Sequence, residues 1–157
     1  MMKSPAASLN RYGKLWLNVA SSHLVLNDFV NLDRSVWLTL APTYPLVRHF
    51  LNSGHADAVK RMADARASGV LVTHDCRKPL PFPDGTADHI LSSHFLEHLS
   101  APLAEYVLSD YFRCLRSGGT LHVVLPDLRY QIDRYIAGDL DADGLVSATL
   151  LRSRGGR

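Results

Sequence analysis

Five short apolar runs, separated by helical or turn-like segments, constrain this chain of 157 residues more than any other feature. They read KLWLNVA (14–20), DFVNLD (28–33), GVLVTHD (69–75), ADHILSS (87–93) and TLHVVLPD (120–127). Each is nearly continuous in its apolar character and bounded by polar or turn residues. That is the pattern of a strand buried on both faces of a parallel sheet. Helix-like stretches fall between several of them, at PLVRHFLNSG (45–54) and ADAVKRMADARASG (56–69), with Gly54 and Gly69 expected as their terminators. The clearest helix is expected from Ser100, a good N-cap followed by Pro102, to about Ser117. Leu103, Val107, Leu108, Tyr111, Phe112 and Leu115 recur along it at helical spacing and predict one apolar face, before Gly118 and Gly119 break it. A last helix is expected in RYQIDRYIAGDL (129–140), with room for one weak strand after it. Strands alternating with helices predict an α/β fold with a doubly wound, mostly parallel sheet.

Composition narrows the function classes. The length suits one domain, expected over residues 14–157 behind a short N-terminal extension at 1–13. A formal net charge of +2 is too small to mark a nucleic-acid partner. There is no apolar run of membrane-spanning length, and MMKSPAASLNRYGK has no signal-peptide core. Cys76 and Cys114 are isolated, so a reduced, cytoplasmic protein is the simplest expectation.

The run SSHFLEHL (92–99) contains His94, Glu97 and His98, an H-x-x-E-H pattern that in zinc peptidases places two histidines on one helix. That reading needs a stable helix and a third ligand. Here the run leaves a strand directly and a new helix starts at Ser100, so no metal site is expected. A nicotinamide enzyme is disfavoured by the absence of G-x-G-x-x-G.

HDCRKPLPFPDGTADHILSSHFLEHL (74–99), followed by EYVLSDYFRCLRSGGTLHVVLPDL (105–128), resembles the class I S-adenosylmethionine-dependent methyltransferases, and among them the type 11 group. The resemblance implies a Rossmann-like methyltransferase fold, S-adenosylmethionine as cofactor and a small-molecule or other unidentified methyl acceptor. It also implies a set of site residues. Asp33, ending the second strand, would accept the ribose hydroxyls, or else is a turn aspartate. Asp75, with the Cys76 backbone, would take the adenine. Asn18, Ala20 and Ser22 lie where the cofactor's methionine end should sit, and Ser92 and Ser93 line the same cleft. His94 is the candidate catalytic base, with lining the pocket as the plainer alternative. Glu97 and His98 are expected to be structural.

Three departures stand out. The family's glycine-rich loop after the first strand reads LNVASSH here, with Ala20 and Ser22 where glycines would stand. The link from Ala20 to Asp28 is also too short for a full crossover helix. After Asp127 part of the family's C-terminal strands is missing, which suggests a shortened chain or a homodimer that covers the sheet edge. A non-catalytic remnant of the fold, acting through binding, is the competing expectation.

Overall fold

A computed structural model describes residues 9–22, 24–34, 46, 49–50, 53–68 and 71–149. Every expected apolar run supplies a strand: β1 (Trp16–Val19), β2 (Val30–Asp33), β3 (Leu71–Thr73), β4 (Ala87–Ser93) and β5 (Leu115–Val124). They form one sheet in the order β3-β2-β1-β4-β5. All four pairings are parallel. The helices are α1 (Ser53–Ser68), α2 (Ala101–Cys114), α3 (Leu128–Ile136) and α4 (Ala142–Thr149). The chain steps outward from β1 to β3, returns to the far side of β1 as β4, and continues to β5. The result is a Rossmann-like α/β sheet whose topological switch point lies between β1 and β4.

Strand alternation sorts the side chains onto two faces. Leu15, Leu17, Val19, Val30, Leu32 and Ile90 are buried on one, where they pack with Leu80, Phe82 and the Val107, Tyr111 and Cys114 stripe of α2. Trp16, Asn18, Phe29, Asn31 and His89 alternate with them and therefore occupy the other. The expected apolar face of α2 is narrower than its sequence suggests. Leu108 and Phe112, the latter 82% exposed, turn away from the core. Val107, Tyr111 and Cys114 follow i, i+4, i+7 spacing and already fill the contact, while Leu108 and Phe112 lie about 100° round the helix from Val107 and Tyr111.

Other expectations need correction. Gly54 terminates no helix; it lies in the first turn of α1. Half of the helix expected at 45–54, and Gly69, fall outside the described residues. Of the segment with room for a weak C-terminal strand, residues 142–149 form α4 and residues 150–157 lie outside the described residues. The helix expected to reach Ser117 stops at Cys114, and β5 begins five residues earlier than expected. A bulge is the cause. Ala87 pairs with Leu115 but His89 pairs with Thr120, so residues 116–119 loop out of the ladder. Gly118 takes a left-handed φ of 75°, and a Cβ on Gly119 would meet the Ala87 carbonyl at 3.0 Å. The two glycines thus serve a bulge inside the strand, and the helix ends before them at Cys114.

The link from β1 to β2, residues 20–29, has no helix among its described residues and still joins two parallel neighbours. Two buried amides hold it. Asn18 Nδ2 donates to the Leu24 carbonyl at 2.7 Å and to Asn31 Oδ1 at 2.8 Å. Asn31 Oδ1 also accepts from the Leu26 N–H at 3.0 Å, and its Nδ2 donates to the carbonyls of Leu26 and Phe29. Loop backbone that a helix would have satisfied internally is satisfied by these side chains instead. Asn31→Ala strands a buried N–H, two carbonyls and an Asn18 proton, so it should cost about 3 kcal/mol in urea unfolding. A loss below about 1 kcal/mol would show that the loop is held by other contacts.

Candidate functional site

In a doubly wound sheet the crevice opens where the strand order reverses, outside the carboxyl ends of the strands. The loops after β1 and β4 flank that point here, and the tips of β2 and β3 lie beside it.

The loop after β1 carries the site's most unusual backbone. Ala20 has φ 56° and Ser22 φ 47°, both left-handed. These are the two positions at which the family pattern has glycine, and the backbone adopts the conformation that glycine would take freely. For residues with a Cβ it costs about 1–2 kcal/mol each. The surroundings hold it there. The Ser21 N–H donates to the Leu32 carbonyl at 3.0 Å, and the Ser22 N–H donates to Asp33 Oδ2 at 2.7 Å. Ser21 is buried, and its hydroxyl is a buried oxygen with no hydrogen-bond partner among the described residues.

The tips of β2 and β3 hold their carboxylates differently. Asp33 is buried against the loop after β1. Asp75 sits between two guanidinium groups: Arg77 reaches both of its oxygens at 2.9 Å, and Arg34 reaches Oδ2 at 3.1 Å. The Arg77 side-chain hydrogen bonds, with help from the Arg77 N–H and the charge of Arg34, hold the Asp75 carboxyl well below the ordinary carboxylate range. Cys76 turns its thiol inward to the Leu32 carbonyl at 3.6 Å, and burial pushes it up to about 12, so it stays a thiol.

β4 delivers alternate residues to opposite faces. Ser92 is buried, with its hydroxyl 3.3 Å from the Tyr111 hydroxyl, and faces α2 rather than the crevice. Ser93 has the opposite orientation and is partly exposed. His94 follows in a left-handed conformation, φ 52°, with its N–H bound to the Val124 carbonyl at 3.0 Å. Its side chain is 58% exposed, and Nδ1 lies 3.1 Å from Glu97 Oε1. Glu97 Oε2 is buried and unpartnered among the described residues. Residues 96–98 form a single 3₁₀ turn, so His94 and His98 do not share the helix that an H-x-x-E-H metal site needs. Among the described residues no group of three or more His, Cys, Asp or Glu is placed to hold a metal ion.

Of the residues expected at the site, Ala20, Ser22, Asp33, Asp75, Ser93 and His94 therefore lie at the carboxyl ends of neighbouring strands. The Asn18 amide is committed to the loop, and the Ser92 side chain and the Cys76 thiol lie in the core. Sequence reasoning missed Ser21, Arg34 and Arg77. The arginines carried a readable signal, since each sits one or two residues beyond an expected acidic site residue. Ser21 carried none, because its burial depends on how the loop folds back.

A family model described as Methyltransferase domain matches residues 44–123, just over half of the chain. The chain belongs to this family, the type 11 group of the class I S-adenosylmethionine-dependent methyltransferases. No curated protein matches it by sequence. Among solved structures, a protein of Pyrococcus horikoshii OT3 superposes with TM-score 0.52 at 19% identity, over 80% of this chain and 54% of that one. A putative S-adenosyl-L-methionine-dependent methyltransferase from Methanococcus maripaludis gives 0.44 at 20% identity, over 82% and 58%. A complex of the Haloferax volcanii Trm112 methyltransferase activator with the putative methyltransferase gives 0.46 at 14% identity, over 80% and 52%. The chain thus spans little more than half the length of these structures.

Two outcomes follow for stability. Ala20→Gly relieves the left-handed strain, offset in part by unfolded-state entropy, and should hold or raise the urea midpoint. Ala20→Val, which puts a branched Cβ in the same conformation, should cost about 2 kcal/mol. Equal midpoints for the two variants would show that this φ is relaxed in solution. Asp75 is depressed in the fold, so its stabilising effect is complete above its ordinary value of 3.8 and is lost as pH falls below it. Asp75→Asn should therefore flatten the fall in urea midpoint between about pH 5 and about pH 2. An acid limb identical to that of the parent would overturn the assignment.

Proposed function

We propose that the chain transfers a methyl group from S-adenosylmethionine to a small acceptor. The observation that carries the reading is the left-handed loop of Ala20 and Ser22, pinned against Asp33 at the switch point. The residues present fit the cofactor. The loop keeps a glycine-like path despite its two Cβ atoms, and the buried Ser21 hydroxyl has no partner among the described residues. In this reading the Ala20–Ser22 backbone and the Ser21 hydroxyl hold the carboxypropyl end. Asp33, at the tip of β2, accepts the ribose hydroxyls. Asp75 and the Cys76 backbone face the adenine, with Arg34 and Arg77 fixing the Asp75 carboxylate.

The cofactor supplies an electrophilic methyl on a sulfonium. Displacement there depends above all on holding the acceptor in line, so the chain's main task is placement and exclusion of water. Ser93 and His94, at the end of β4, are the groups nearest the expected acceptor side. Glu97 orients His94 through Nδ1. That leaves Nε2 to take a proton when the acceptor is a hydroxyl or amine that must lose one. A binding protein built on the same fold is the alternative, and it would keep the cleft without turnover.

Calorimetric titration with S-adenosylhomocysteine tests the reading. Saturable binding is expected at roughly 1–100 µM, weakened at least about tenfold by Asp33→Ala. No heat with millimolar ligand would sink the proposal. Asp33→Ala binding as tightly as the parent would move the cofactor away from β2.

A further inference from the structure

An open pocket lies at the amino ends of the strands, the opposite end of the sheet from the tips of β2 and β3. It measures about 310 Å³ and is lined by Lys14, Trp16, Phe29, Asp88, His89, Arg116, Gly118 and Thr120. Its position follows from the β1–β2 link. Leu24, Leu26 and Phe29 of that link bond to the Asn18 and Asn31 side chains on the carboxyl half of that sheet face. At the amino half the face presents Trp16, Phe29 and His89. β4 runs for seven residues between the two ends, which separates pocket and crevice by roughly 20 Å.

One wall of the pocket is aromatic. The Trp16 ring lies 5.3 Å from Phe29 and 6.3 Å from His89, and Phe29 lies 5.8 Å from His89. Burial, with the neighbouring His122, lowers the His89 pKa, so this wall is uncharged at neutral pH. The rim carries charge. Asp88 is committed: it accepts the Leu15 N–H at 2.9 Å and the Arg116 guanidinium at 2.6 Å. Lys14 forms no ion pair among the described residues, so the rim has a net positive charge. Gly118 belongs to the β5 bulge, and a Cβ there would meet nothing within 4 Å, so the space beside it is open. The volume is at the lower end of the range for small-molecule sites.

We infer that this pocket is a second binding site, for a small planar aromatic anion whose ring packs on Trp16, Phe29 and His89 and whose negative group meets Lys14 and Arg116. An aromatic carboxylate and a nucleoside monophosphate share this chemistry. The bulge that breaks the β4–β5 ladder gains a role here, since it sets Arg116 and the open Gly118 at the pocket's edge.

The test uses the full chain with Trp37→Phe, which leaves Trp16 as the single indole. Uridine 5′-monophosphate and 4-hydroxybenzoate are titrated separately, followed by Trp16 fluorescence and by calorimetry. Saturable quenching by either probe supports the site and identifies which source of the anion it prefers. Lys14→Glu, at an exposed position, should weaken that binding about tenfold or more and leave S-adenosylhomocysteine binding as in the parent. Three results would each overturn the inference: no saturation by either probe, unchanged affinity in Lys14→Glu, or displacement of the probe by excess S-adenosylhomocysteine. The last would place the probe in the crevice. None of these outcomes depends on whether the chain turns over a methyl donor.

Discussion

The structure depends on a pair of buried side-chain amides. Two parallel neighbours need a crossover, usually a helix that satisfies its own backbone. Residues 20–29 are too few for one, so their polar groups must bond elsewhere or stay in water. Asn18 and Asn31, side by side on adjacent strands, accept and donate to Leu24, Leu26 and Phe29 and fold the loop back over the sheet. The same fold-back presents Ala20, Ser21 and Ser22 to the switch point and leaves the amino half of the face open. Crevice and pocket are two consequences of one short link.

That arrangement also explains how the loop manages without its expected glycines. Left-handed backbone at Ala20 and Ser22 is unfavourable in isolation, and persists only where neighbouring bonds determine it. The Leu32 carbonyl and the Asp33 carboxylate each take one loop N–H. Asp33 thus shapes the loop. Asp75 shows the other solution to an acid at a strand tip. There, paired arginines stabilise the charge at an accessible position, in a surface setting where such pairs contribute modestly to folding.

Much of the fold was legible in sequence. The five strands, their parallel pairing, the helix after Ser100 and the departure at Ala20 and Ser22 could all be read from local pattern. The RSGG segment shows where reading fails. Two glycines after a helix look like a terminator and a turn. Only the offset between Ala87–Leu115 and His89–Thr120 reveals a bulge, because register belongs to two strands at once. Ser92 and Ser93 give the same lesson in the site. Adjacent serines at a strand end look equivalent, yet alternation sends one to Tyr111 in the core and the other to the opposite face. H-x-x-E-H resembled a metal motif by spacing alone; its 3₁₀ turn and the His94–Glu97 contact depend on how β4 exits the sheet.

Sequence by itself determined the layer order, the family and the acidic residues at the strand tips, because hydrophobic period and turn chemistry are local properties. Tertiary structure decided which side of the sheet each of those residues takes, where the amides of Asn18 and Asn31 are spent, and that Trp16, Phe29 and His89 meet beside Lys14. Those outcomes require strands distant in the chain to pair in one register. The physical reason is that a side chain's surroundings are set by its neighbours in space, and sequence pattern reports only its neighbours along the chain.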